Sequence, residues 1–295
     1  MPPEDHLPTT FRAAERRVTR LFREAGLATP DLDARLLIEA AAGIDRLVWV
    51  RAPDAPLPGE AARVLDRLVA RRLAREPVSR ILGFREFYGR AFEITPATLD
   101  PRADSETLID AALAIADTEG WRDRQIDVLD IGTGSGCLLV TLLAELPRST
   151  GVGTDIDDEA LAVAAHNAAR QGVGDRARWQ RARSLTGVAG GFQLIVANPP
   201  YVRSAEIGGL APEACRHDPL SALDGGPDGL AIHREIVAGL DAMRHTGWIL
   251  LEVGCDQAAD VRALLQHWKR LERASLRTIA DLSGRDRCVA ARAQS

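Results

Sequence analysis

The sequence predicts an α/β fold: a mostly parallel seven-stranded sheet covered by helices, preceded by a small all-α unit and a β-hairpin. Three observations carry that expectation. Beyond Gln125, short apolar runs alternate with helix-length stretches, as in parallel strands joined by crossover helices. The first 80 or so residues carry only the period of amphipathic helices. Between the two lies ILGFREFYGRAFEI (81–94), where β-branched and aromatic residues gather around Gly83 and Gly89, the texture of a hairpin.

Each element follows from local chemistry. Thr10 is a candidate N-cap for a helix carrying Phe11, Ala14, Val18, Leu21 and Phe22 on one face, and Gly26 ends it. A second helix runs from Asp31 to Gly43 and a third from about Pro58 through Val69. Pro96 and Pro101 mark turns in TPATLDPRADSE, after which Thr107 to Ala116 is helical again. The seven strands are IDVLDI, GVGTDI, a weaker one near Trp179, FQLIVAN, WILLEV, and two near LRTIADL and DRCVAAR. Helices are expected over 137–146, 158–171, 229–240 and 257–268. The predicted organisation is a helical domain over 1–82, a hairpin linker over 83–100 and a larger α/β domain over 101–295.

Bulk properties narrow the function classes. A net charge of −5 gives no general attraction to nucleic acid or an anionic membrane. The four cysteines, Cys137, Cys215, Cys255 and Cys288, are far apart, so neither a disulfide framework nor a zinc site is expected. The start, MPPEDHLPTT, lacks the basic patch and apolar run of a secretory leader, and no apolar stretch approaches the roughly 20 residues of a membrane span. A reducing cytoplasm fits best.

Two loops then carry the chemistry. In VLDIGTGSGC, Gly132, Gly134 and Gly136 follow the first strand of the sheet directly, and such a loop can turn sharply with no side chain between it and a ligand. The dinucleotide fingerprint needs its third glycine at the position of Cys137. Asp130, just before the glycines, repels a pyrophosphate and suits a cationic ligand. Asp155 ends the second strand about 20 residues on, where acids accept hydrogen bonds from ribose hydroxyls. Glycines, Asp130 and Asp155 together describe a nucleoside with positive charge, and S-adenosylmethionine is the candidate.

The second loop is LIVANPPYV (194–202). Leu194 to Ala197 suit a central strand, but Pro199 and Pro200 cannot donate ladder hydrogen bonds, so the strand stops at Asn198. Amino groups attached to a carbonyl or an aromatic ring are planar and weakly nucleophilic, so methylating one is a problem of geometry. The Asn198 side-chain oxygen and a backbone carbonyl near Pro199 would hold both N–H groups. Pro199 and Pro200 would keep those acceptors fixed and the Tyr201 ring would stack on the flat substrate group. No strong base is required, and His166, His217 and His233 are read as structural or surface residues.

DIGTGSG, Asp155 and NPPY together resemble the amino-group methyltransferases that use S-adenosylmethionine. PVSRILGFREFYGRAFEITPATLDPRADSE, DPLSALDGGPDGLAIHREI and DLSGRDR narrow the resemblance to the peptide chain release factor glutamine methyltransferases, the PrmC/HemK family, over nearly the whole chain. The resemblance implies a Rossmann-like S-adenosylmethionine methyltransferase fold. It also implies methylation of the side-chain amide nitrogen of the glutamine in the Gly-Gly-Gln motif of class I release factors. By position, Asp130, Gly132, Thr133, Gly134, Ser135, Gly136, Asp155, Ser184 and Asn198 would contact the cofactor. Asn198, Pro199, Pro200 and Tyr201 would hold the glutamine, with Asn198, Pro199 and Tyr201 catalytic. The helical domain would grip the release factor, with the enzyme acting as a monomer, without metal, nucleic acid or membrane. The chain departs from the pattern at Arg183 and Ser184, at Gln193 and at Ala103. The alternatives left open are an adenine methyltransferase acting on nucleic acid, a ribosomal protein glutamine methyltransferase, and a noncatalytic binding module.

Overall fold

A helical unit comes first along the chain and an open α/β sheet second. The computed structural model describes residues 10–243 and 247–294. The start of the chain, on which the expectation about a secretory leader rests, lies outside the described residues. Two compact units divide the chain, Met1–Gly83 and Phe84–Ser295.

In the first unit, α1 (Phe11–Glu24), α2 (Pro30–Ala42), α3 (Arg46–Arg51), α4 (Gly59–Leu73) and α5 (Val78–Leu82) enclose a core that includes Val18, Phe22, Leu37, Ile38 and Leu65. The Thr10 hydroxyl accepts from Ala13 N at 3.2 Å, as an N-cap should. Gly43 ends α2 in the left-handed conformation that a residue with a side chain resists. Sequence periodicity missed α3 and α5. Each is too short to show a period, and α3 reads RLVWVR, a strand-like composition. Its signal is Asp45, whose side chain accepts from Val48 N at 2.9 Å.

The second unit opens with the hairpin β1 (Phe84–Phe87) and β2 (Arg90–Glu93), paired antiparallel around Tyr88 and Gly89. Both turn residues have positive φ, 50° and 70°, as a tight hairpin turn requires. Asn167 ties the hairpin to the helix that carries it, accepting from Glu93 N at 2.8 Å and donating to Glu93 O at 3.0 Å. The remaining elements are α6 (Glu106–Thr118), β3 (Asp127–Ile131), α7 (Cys137–Glu145), β4 (Thr150–Asp155), α8 (Asp158–Arg170), β5 (Ala177–Arg181), β6 (Leu194–Ala197), α9 (Pro212–His217), α10 (Ala231–Leu240), β7 (Trp248–Glu252), α11 (Ala258–Leu265), β8 (Leu271–Ala280) and β9 (Asp286–Ala293).

The sheet has seven strands in the order β5-β4-β3-β6-β7-β9-β8. The first five run parallel, and β9 is antiparallel to both neighbours. β6 and β7 are buried along their whole length, which accounts for their unbroken apolar sequence. One apolar core includes Leu108, Leu139, Leu142 and Val196, and a second includes Leu129, Ile195, Leu240 and Leu251. Neighbouring residues of β3 and β6 divide between them, as alternation across a pleated strand demands. Among the described residues, no helix is long and apolar enough to cross a membrane.

Candidate active site

Chain order reverses at β3, with β4 and β5 on one side and β6 and β7 on the other. Open α/β sheets bind ligands at the carboxyl ends of the strands beside such a switch. A cavity of about 490 Å³ opens there, walled by Gly132 to Ser135 after β3, Asp155 at the end of β4, Ser184 after β5, and Asn198, Pro199 and Pro200 after β6. Three predicted site residues, Asp130, Gly136 and Tyr201, do not line it.

Gly132, Gly134 and Gly136 all have positive φ, 71°, 54° and 80°, so side chains here would strain the backbone. Nothing lies within 4 Å of a Cβ built at Gly132 or Gly134, whereas one at Gly136 would sit 3.0 Å from the Ala164 Cβ. The first two leave room at the cavity. The third lets α7 approach α8, so its contribution here is packing.

Asp130 lies beneath the loop, 1% exposed. One oxygen accepts from Thr133 Oγ1 at 2.6 Å and Leu139 N at 3.3 Å, while Oδ1 is buried without a hydrogen-bond partner among the described residues. Burial pushes its carboxyl up to about 7 against those two hydrogen bonds, and a nearby cation would favour the charged form.

Asp155 lines the cavity and accepts from Gly134 N at 2.9 Å and Asp157 N at 3.1 Å. A carboxylate offers about four acceptor positions, so capacity remains for a further donor. Burial raises its pKa as well. Ser184 stands at φ 51° with a buried hydroxyl that has no hydrogen-bond partner among the described residues. A non-glycine residue there is strained. Arg183 also lines the cavity, and its guanidinium makes a two-pronged pair with Glu235 at 2.7 and 3.0 Å, which compensates the charge. Gln193 takes over a backbone role, accepting from Asp127 N at 2.8 Å.

The amide of Asn198 donates from Nδ2 to Ser105 Oγ at 3.0 Å, and both residues line the cavity. Tyr201 departs from expectation: its hydroxyl donates to Glu252 Oε1 at 3.2 Å behind the wall. Burial pushes this phenol up strongly, and the Glu252 charge adds to that, so the ring is a neutral donor. The loop is braced from below. Gln257 Nε2 donates to Tyr201 O at 3.0 Å, Val202 N to Leu223 O at 3.0 Å, and Gly225 N to Val202 O at 2.8 Å. Sequence reasoning missed Ser105, Glu252 and Gln257. The available signal was Glu252, a charged residue ending the otherwise apolar WILLE of β7.

Other reactive groups are quiet. Cys137 lines the cavity, but burial pushes its thiol up to about 12 and keeps it neutral. His233 is buried against the Glu252 carbonyl at 2.8 Å, and burial lowers its pKa. No histidine lines the cavity among the described residues.

Sheet order, glycine loop and NPPY loop together define the class: a Rossmann-like methyltransferase. One solved structure of that kind, the hMettl16 catalytic domain in complex with a 3′UTR hairpin, matches with a TM-score of 0.53 over 79% of this chain and 81% of that one at 16% identity, a likeness of fold alone. Residues 13–83 match the PrmC N-terminal domain and residues 110–214 the methyltransferase small domain. The chain is 44% identical over 286 residues to the release factor glutamine methyltransferase of Cereibacter sphaeroides, covering 96% of this chain and 99% of that protein. The protein of the same description from Rhodospirillum rubrum is 42% identical over 282 residues, 95% of this chain and 84% of its own. The chain belongs to the release factor glutamine methyltransferase family.

Proposed function

We propose that this enzyme transfers a methyl group from S-adenosylmethionine to the side-chain amide nitrogen of the glutamine in the Gly-Gly-Gln motif of class I peptide chain release factors. One observation carries the reading: Asn198, pinned through Nδ2 to Ser105, shares a single cavity with Gly132 to Ser135 and Asp155. The fit to a cationic nucleoside rests on two acceptors at the cavity, Asp155 and the hydroxyl of Ser184, and on the buried Asp130 carboxyl beneath it, whose Oδ1 has no hydrogen-bond partner among the described residues.

When bound, the cofactor supplies an electrophilic methyl carbon on a sulfonium. The chain supplies position. The glycine loop would hold the cofactor through its backbone, Asp155 would accept from its ribose hydroxyls, and the buried Asp130 would favour its positive charge. Asn198 Oδ1 accepts one N–H of the substrate amide and a carbonyl near Pro199 the other, which aims the nitrogen. An amide nitrogen becomes acidic as transfer proceeds, so the positioned acceptors need only aim it, and its proton passes to solvent without a strong base while the sulfonium becomes a neutral thioether. Pro200 keeps the acceptors in place and Tyr201 braces the loop from behind.

We further propose the organisation 1–82, 83–100 and 101–295 as substrate-recognition domain, hairpin linker and catalytic domain. Leu47, Val48 and Val50 are exposed on α3, a surface suited to a protein partner. The enzyme would act as a monomer in the cytoplasm, where its substrate works. Purified release factor is incubated with the enzyme and cofactor and digested, and the Gly-Gly-Gln peptide is weighed. A gain of about 14 Da, one CH2, on the glutamine amide is the expected result. Transfer to duplex nucleic acid or to a ribosomal protein, with none to the release factor, would refute the assignment.

A further inference from the structure

A buried carboxylate that no motif contains sits behind the transfer loop. Glu252 ends β7 with 1% of its surface exposed and does not line the cavity. Tyr201 donates to its Oε1 at 3.2 Å, and its Oε2 is buried without a hydrogen-bond partner among the described residues. The Ser105 hydroxyl lies beside the carboxylate and favours its charged form. Ser105 Oγ is also the atom that accepts from Asn198 Nδ2 at 3.0 Å. One carboxylate thus bonds the tyrosine of the NPPY loop and adjoins the serine that holds its asparagine.

Hydrogen-bond polarity gives this arrangement a consequence. The two ends of an asparagine amide have nearly the same shape, so their partners decide which end faces where. A hydroxyl has one proton. If Ser105 uses it to donate a hydrogen bond to an acceptor-only carboxylate, Ser105 can only accept from Asn198, and the asparagine oxygen is left for the cavity. A neutral Glu252 carries a proton of its own. Ser105 is then free to donate to the asparagine oxygen, which turns the NH2 end toward the substrate. Two sets of N–H donors would face each other there, and neither could hold the other.

We propose that Glu252 is a positioning residue for methyl transfer: as a carboxylate it accepts a hydrogen bond from the Ser105 hydroxyl and thereby holds the Asn198 oxygen toward the substrate nitrogen. This rests on the transferase reading given above.

The surroundings bear on when the carboxylate is charged. Burial pushes Glu252 up to about 7, Ser105, Arg287 and Tyr201 draw it back, and Asp104 raises it. Arg287 of β9 is held by Asp104 at 3.0 Å and Asp281 at 3.4 Å. Arg102 acts on the Tyr201 end. The neighbouring thiols Cys137 and Cys288 are held neutral by burial, and His233 meets only the Glu252 backbone carbonyl. Below about pH 7 Glu252 takes up a proton, so kcat should fall as pH falls through that value.

The test compares wild type with Glu252→Gln at saturating cofactor, which removes any contribution of Asp130 to cofactor binding. The variant should lose about 10²-fold in kcat. It should lack the acid limb of the pH profile, with cofactor affinity and KM for the release factor within about twofold. A Gln variant with wild-type kcat and the same acid limb overturns the proposal. Ser105→Ala should show a similar loss, and the double variant should lose no more than either single one; losses that multiply also overturn it. If Glu252→Gln does not fold, wild-type kcat in Ser105→Ala decides against it alone. Wild-type enzyme that methylates no release factor would refute the proposed function instead, which separates the two failures.

Discussion

The loop after β3 and the loop after β6 leave adjacent buried parallel strands for the same cavity, yet one carries three glycines and the other two prolines. The glycine loop works by absence: at Gly132 and Gly134 a Cβ would meet nothing within 4 Å, while Asp155 holds the Gly134 N–H and Asp130, beneath, holds the Thr133 hydroxyl. The proline loop works by restriction, with a short polar side chain held by Ser105 and a backbone held by Gln257, Leu223 and Gly225. Binding a large flexible cofactor calls for room and acceptors, whereas aiming a poor nucleophile calls for rigidity. The two halves are therefore separable by mutation.

The largest effect should come from the proline half. Asn198→Ala should lower single-turnover methyl transfer by roughly 10³-fold while leaving cofactor affinity by calorimetry nearly unchanged. Equal losses in both would mean that the halves are not separate. Asp155→Ala should do the reverse. It removes a charged acceptor whose hydrogen bonds are worth about 1.5–3 kcal/mol each, so cofactor Kd should rise by about 10²-fold while the rate at saturation stays within a few-fold. A smaller effect is expected at Gly229, where φ is 77° and a Cβ would collide with the Tyr201 carbonyl oxygen and Gln257 Nε2. Gly229→Ala should shift the brace, lower kcat by about tenfold and lower Tm by several degrees, with cofactor affinity intact. A change in cofactor affinity there would blur the comparison.

These halves were unequally legible in the sequence. Glycine spacing and Asp155 mark their loop because backbone demands at such positions restrict residue choice. The strand order could not be read from short apolar runs, although the number and type of strands could. In the proline half, NPPY stood out, but its supports did not. Ser105, Glu252 and Gln257 come from a turn, a strand end and a helix start far apart in the chain, and only folding brings them together. The stacking expected of Tyr201 gave way to a hydrogen bond with one of those unseen partners, Glu252. From the sequence Asp130 reads as a neighbour of the ligand, but it lies beneath the loop, where Thr133 and Leu139 claim one of its oxygens.

A crystal structure of the enzyme with demethylated cofactor and a release factor glutamine in place tests the central claim most directly. The account predicts the Asn198 oxygen about 2.7–3.2 Å from the glutamine amide nitrogen, with that nitrogen within roughly 3.5 Å of where the methyl carbon would lie. A glutamine held by other residues, with Asn198 beyond hydrogen-bond reach or presenting its NH2 end, would contradict it.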